Sequence, residues 1–271
     1  MKERQVNAML IIKNCNLINM AGIYKEKKDL VVKDGKVLDI CDDACQKYGQ
    51  GNVIIDACGN YVTPGIVEPH CSLGVKEEVF RFEGNDADET TNPIVPQVRA
   101  MDAINPRDEG FKMALAGGVT TAEEMVMVPE IAIKMCLTDG VKNTYGGKRS
   151  PMTRLGTAAL IREALMKAKR YHDQWTASQK DPANKPPKFD MKLHSLMRVF
   201  DGMPVKFIAK RGHDMMTAVR IAEEFGLTYT VENCVDAWRI TKDLKKHNVR
   251  CVLGPVYGEK NSENRYRDPI A

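Results

Sequence analysis

The chain has 271 residues, 43% of them hydrophobic and 28% charged, with 40 Lys and Arg against 36 Asp and Glu. Apolar content of this order supports a sizeable core and excludes wholesale disorder, and the length suits a single α/β barrel. A formal charge of +4, with basic residues interspersed among acidic ones, excludes the basic stripe of a nucleic-acid-binding protein. No apolar run reaches the roughly 18 residues of a bilayer span. The apolar run Ala8 to Ile12 is too short for a secretory signal core, so no membrane partner and a cytoplasmic location are expected. Eight scattered cysteines then read as reduced thiols. Cys41 and Cys45 form a C-x3-C pair, but no second Cys or His pair completes a zinc site.

In chain order, MLIIKNCNLIN, KDLVVKDGKVLDI and NVIIDACGNYV are β-rich, and Asp34-Gly35 signals a hairpin, so residues 1–63 read as a small antiparallel, β-sandwich-like module. After Thr63-Pro64-Gly65 strands alternate with helices. Asp108 opens the helix FKMALAGG, Gly117-Gly118 stops it, and the strand VTTA follows. Ile131 to Leu137 is a buried-strand candidate ending at Thr138-Asp139-Gly140. Ser150-Pro151 reads as a cap plus first-turn proline before a helix in which Glu163 and Lys167 pair at i,i+4. Asp173 to Lys188, polar and proline-rich, reads as an exposed excursion.

The last third is the most regular: strand Val205–Ala209, a helix capped by Asp214 and closed by Gly226, strand Leu227–Val231, helix Val235–His247 and strand Val249–Leu253. Consecutive β-α units of about twenty residues favour a parallel sheet.

Val62-Thr63-Pro64-Gly65-Ile66-Val67-Glu68-Pro69-His70-Cys71-Ser72 resembles the first barrel strand of the amidohydrolase superfamily, V-x-P-G-[FIL]-I-D-[AP]-H-x-H. The stretches EGNDADETTNPIVPQVRAMDAINPRDEGFKMALAGGVTT, SPMTRLGTAALIREALMKA, PVKFIAKRGHDMMTAVRIAEEFGLTYTVENCVDAW and VRCVLGP are similar to the imidazolonepropionase-related subgroup. The resemblance implies an α/β fold, a (β/α) TIM-like barrel of metal-dependent hydrolase type over residues 64–271, behind the N-terminal module. It implies hydrolysis of carbon–nitrogen bonds in cyclic amides by a metal-bound hydroxide, with a divalent metal such as zinc as cofactor.

Residue by residue, the family's metal ligands are largely replaced. His70 stands at the first metal histidine, but Ser72 stands at the second; Ile208-Ala209-Lys210-Arg211 replaces a later H-x-H-R, and Glu232-Asn233 replaces an E-H pair. Asp139 stands near an expected acidic ligand. Thr121 runs into Glu123-Glu124 where relatives carry a glycine-rich loop, and the strand bearing the metal aspartate would lie beyond Ala271, so an incomplete barrel is expected. A hydrolytic metal needs about three firm ligands and an open position. The expectation is therefore that no cofactor is held by this chain alone, with His70 and Asp139 as residual metal ligands. Each has a plainer reading, His70 as a buried polar residue and Asp139 as a turn cap. Glu68 reads as structural. The histidines near helix starts (His194, His213) and ends (His172, His247) read as solvated or dipole-related. Lys210 is expected to neutralise Glu232 or Asp139, and Arg211, at a strand's C-terminal end, is a candidate to bind an anionic substrate group.

Two functions from different classes follow: a hydrolase of cyclic C–N bonds, or a non-catalytic pseudoenzyme assembling with an intact amidohydrolase paralogue. A barrel short of strands leaves apolar faces open, so a homo-oligomer or a complex with such a paralogue is expected, with Leu155, Ala159 and Ala164 on the contact face.

Overall fold

The computed structural model describes residues 9–19, 22–23, 27–49, 51–77, 82–122, 131–147 and 150–254. The expected departure around Glu123-Glu124 lies outside the described residues. The chain divides into two compact units, Met1–Ile66 and Val67–Ala271.

The first unit is built on the long strand β1 (Leu10–Asn19), which pairs antiparallel with β2 (Gly22–Ile23) and with β3 (Lys28–Lys33); β3 pairs antiparallel with β4 (Lys36–Cys41). Asp34 and Gly35, at φ 50° and 74°, make the left-handed pair that a tight hairpin requires. A short helix α1 (Ala44–Tyr48) follows, capped by the Asp43 side chain on the Gln46 N–H. The module is not purely antiparallel as expected. β5 (Val53–Asp56) and β6 (Tyr61–Val62) both run parallel to β1, because the connection through α1 returns the chain in the direction of β1. The register of β1 and β3 shifts between Ile12 and Cys15, with Asn14 at φ 55°. Buried Asp29 holds this bulge, accepting from the N–H groups of Asn14 (3.0 Å) and Ala44 (2.9 Å).

The strand β7 (Ile66–Glu68), which begins at the unit boundary, pairs with β8 (Val119–Ala122), and helix α2 (Glu109–Ala116), capped by Asp108, lies between them in sequence. The parallel sheet expected from the last third is present, in the order β12-β11-β10-β9: β9 (Ile133–Cys136), β10 (Val205–Ile208), β11 (Tyr229–Glu232) and β12 (Cys251–Val252). The helices are α3 (Asp139–Tyr145), α4 (Arg154–Lys180), α5 (Met191–Met197), α6 (Gly212–Phe225) and α7 (Thr241–Lys246). Odd-numbered strand residues Met135, Val205, Phe207 and Val231 face a core shared with Ile161 and Leu165 of α4 and Ala218, Ile221 and Ala222 of α6. Even-numbered residues, Lys206, Thr230 and Glu232 among them, face the opposite side, as the two-residue period of a strand dictates. Among the described residues the strands do not close a barrel; the architecture is mixed α/β.

Four local readings change. The α4 cap is Thr153, whose side chain accepts from the Gly156 N–H at 3.0 Å, rather than Ser150. Asp173 to Lys180 is the last part of α4, not an excursion. Tyr171 and Trp175, one turn apart, stack on each other and meet His194 edge to face, and the helix stops only at Asp181, before Pro182. His172 consequently lies inside a helix and bonds Asp201 through Nε2 at 3.0 Å. The helix expected over Val235–His247 is a 3-10 turn, Ala237–Ile240, followed by the shorter α7.

Candidate functional site

The C-terminal ends of parallel strands converge in α/β folds, and this end of the sheet carries the charged residues of interest. Glu232, the last residue of β11, is 1% exposed. His70, in the bend after β7, places Nδ1 2.7 Å from Glu232 Oε2. Its own N–H donates to Glu68 Oε1 at 3.0 Å, so Glu68 orients the His70 segment. The Lys206 ammonium lies 3.3 Å from Glu232 Oε1 and donates to the Pro69 carbonyl at 2.9 Å. Thr230 Oγ donates to Glu232 Oε1 at 3.2 Å. Burial pushes the Glu232 carboxyl up, but the His70 bond and the Lys206 charge outweigh it and hold the group below its ordinary range.

A second group lies just beyond β9 and β10. Asp139, the first residue of α3, accepts from Arg154 Nη2 at 2.8 Å on one oxygen and from Arg211 Nη2 at 2.5 Å on the other. Arg154 Nε is also 3.1 Å from Asp214 Oδ1, and His213 Nε2 is 3.2 Å from the same oxygen. Asp214 is buried in the first turn of α6, where Arg211 occupies the cap position, and burial pushes its carboxyl up.

His70, Asp139 and Arg211 thus all lie in the second unit, but in two separate networks. His70 joins Glu232, and Arg211 joins Asp139. Where Lys210 was expected, Lys206 pairs with Glu232, and Arg154 and Arg211 pair with Asp139. Lys210 contributes its backbone carbonyl, which accepts from the Asp236 N–H at 3.0 Å. Lys206 and Arg154 are the residues missed from sequence. The signal for Lys206 was parity: it is the even-numbered charge in Val205-Lys206-Phe207-Ile208, on the side of the sheet that Glu232 shares.

The donors implied for a divalent metal fit it poorly. A cation at Glu232 would meet the Lys206 ammonium, and one at Asp139 would meet two guanidinium groups. Among the described residues no group of three or more His, Cys, Asp or Glu side chains is arranged to hold a metal. All eight cysteines are free thiols. No helix among the described residues is long and apolar enough to cross a membrane.

No family model matches the sequence. In three dimensions the chain is similar to the crystal structure of an amidohydrolase from Thermotoga maritima MSB8, with a TM-score of 0.85 and 29% identity over 94% of this chain and 72% of that one. In sequence it is 38% identical to an L-hydantoinase of Paenarthrobacter aurescens over 77 residues, 27% of this chain and 16% of that protein. It is 25% identical over 187 residues to the amidohydrolase tasK of Hapsidospora irregularis, 54% of this chain and 19% of that protein. The matched segments therefore span less than a fifth of each of these two curated relatives. The fold and the site define an α/β protein with its charged residues at the ends of parallel strands. The comparisons then indicate the amidohydrolase superfamily.

Proposed function

We propose that this chain is an amidohydrolase-like protein whose ancestral chemistry is hydrolysis of the carbon–nitrogen bond in cyclic amides, and that it serves as a non-catalytic subunit. The resemblance around His70 carries the ancestry, and the similarity to the Thermotoga amidohydrolase supports it. One observation carries the loss of activity: Glu232, the buried carboxylate beside the remaining histidine, is neutralised by Lys206. A hydrolytic metal lowers the pKa of a bound water and so needs a firm anionic and imidazole ligand set. Here the carboxylates are held by the protein's own cations instead, a charge balance reached without an ion. Within this reading an intact amidohydrolase-like paralogue is the partner that would supply catalysis.

The hydrolase reading keeps one specific support. The Glu232–His70 pair is a buried carboxylate on an imidazole, a pairing that elsewhere orients a histidine to take a proton. An assay of the purified chain against hydantoin and related cyclic amides, with zinc or manganese added, separates the two. No turnover above buffer is expected; metal-dependent ring opening abolished by His70→Ala would overturn the non-catalytic reading.

A further inference from the structure

Helix α4 has two apolar faces. One packs into the core through Ala158, Ile161, Leu165 and Ala168. The other carries Leu155, Ala159 and Met166, with Leu155 84% exposed and Met166 51% exposed. At about 100° per residue, positions 155, 159, 162, 166 and 170 fall within roughly 80° of one another, on the side of the helix away from the core. A surface helix with one face in the core normally has charged residues outward; here Leu155, Ala159 and Met166 are set among Arg162, Glu163, Lys167 and Arg170 on that outer face.

We infer that the outer face of α4 is a self-association surface, and that its occupant is the same face of a second copy, packed antiparallel about a two-fold axis between Arg162 and Glu163. The sequence of the stripe carries the choice. Such an axis pairs position 155 with 170, 159 with 166, and 162 with 163. Met166 of each copy then enters the hollow over the other's Ala159, a large residue facing a small one. Ala159, Arg162, Glu163, Met166, Lys167 and Arg170 line a shallow depression that provides this hollow. The aliphatic stem of Arg170 covers Leu155. Arg162 of one copy meets Glu163 of the other, twice per dimer, so the charges are self-complementary as an isologous interface requires. Within one chain Arg162 pairs with Glu224 at 2.6 Å and Glu163 with Lys167 at 2.5 Å, so the crossing joins these into one alternating network. A single helix pair buries less than a standard interface, so the dimer is weak and concentration-dependent. The inference does not depend on the non-catalytic reading, and its test measures mass rather than activity.

Sedimentation velocity of the full chain over a broad concentration series reads it. Wild type is expected to move from one to two chain masses, and Met166→Glu to stay at one. Leu155→Glu, at the far end of the stripe, gives an independent disruption if Met166→Glu folds poorly. Arg162→Glu and Glu163→Arg should each weaken association about tenfold, since each acts twice across the axis, whereas the double swap recovers part of the loss, limited by the like charges it then sets against Glu224 and Lys167. A wild type that stays monomeric throughout, a dimer indifferent to both apolar substitutions, or a double swap no better than the singles overturns the inference.

Discussion

Lys206 and Glu232 lie on adjacent parallel strands two residues out of register, Lys206 opposite Thr230 and Glu232 opposite Ile208, and this offset brings the ammonium within 3.3 Å of the carboxylate. Both side chains project to the sheet face opposite the α4 and α6 core. The pair is therefore a product of strand register, and its removal has a measurable cost.

Lys206→Met should destabilise the fold by about 3 kcal/mol, because it leaves a buried carboxylate with one cationic partner fewer. For a chain of this size that is roughly 6–12 °C in melting midpoint. Lys210→Met should cost less, since the charge on Glu232 is balanced by Lys206. Thermal melts of the two variants compare them directly, and an equal or larger loss for Lys210→Met would return the neutralising role to that residue.

The acid limb of stability should carry the signature of Glu232. Its folded pKa lies below the ordinary 4.5, so its ionised form contributes stability that is complete above that value. The contribution is lost as pH falls through the lower folded value. Urea titrations of wild type and Glu232→Gln, run from neutral pH downward, should show their difference shrinking in that window. Asp214 acts with the opposite sign: its folded pKa is raised by burial, so its effect is an added cost as pH rises through that value, one that Asp214→Asn removes.

Asp139 joins two arginines from different elements, Arg154 at the start of α4 and Arg211 after β10. Asp139→Asn should cost about 1–3 kcal/mol, the range for charged hydrogen bonds lost at a partly buried site. Arg211→Met should cost less than Asp139→Asn, because Arg154 still holds the carboxylate. Chemical denaturation of both variants measures the order.

Thr153→Ala should cost about 1 kcal/mol through loss of the α4 cap, while Ser150→Ala should be close to neutral. Reversal of that order would restore the cap to Ser150.

The parallel sheet of the last third was legible because β-α units of about twenty residues follow one another and a helix ends at Gly226, which takes φ 64°. His70 and Asp139 were legible as chemistry through the family resemblance, but their partners were not. Register decides which cation reaches Glu232, and one sequence does not reveal the register between two strands whose paired residues are 24 positions apart. Lys210 shares that parity, but it lies beyond Ile208, the last residue of β10, where the alternation of a strand no longer applies. The parallel pairing of β5 with β1 was hidden for the same reason, since the β propensity of Val53 to Ile55 is blind to direction. Asp173 to Lys180 was misjudged because polar residues suggest a loop, whereas the Tyr171–Trp175 stack holds the helix. Composition says nothing of that contact.

Metal stoichiometry tests the central claim most directly. Purified wild type and Lys206→Met, each dialysed against zinc and washed, are measured by elemental analysis and by calorimetric titration. The account predicts less than one zinc per chain for wild type, and measurably stronger but still incomplete binding once the ammonium beside Glu232 is gone. One or more tightly held ions per wild-type chain would contradict it.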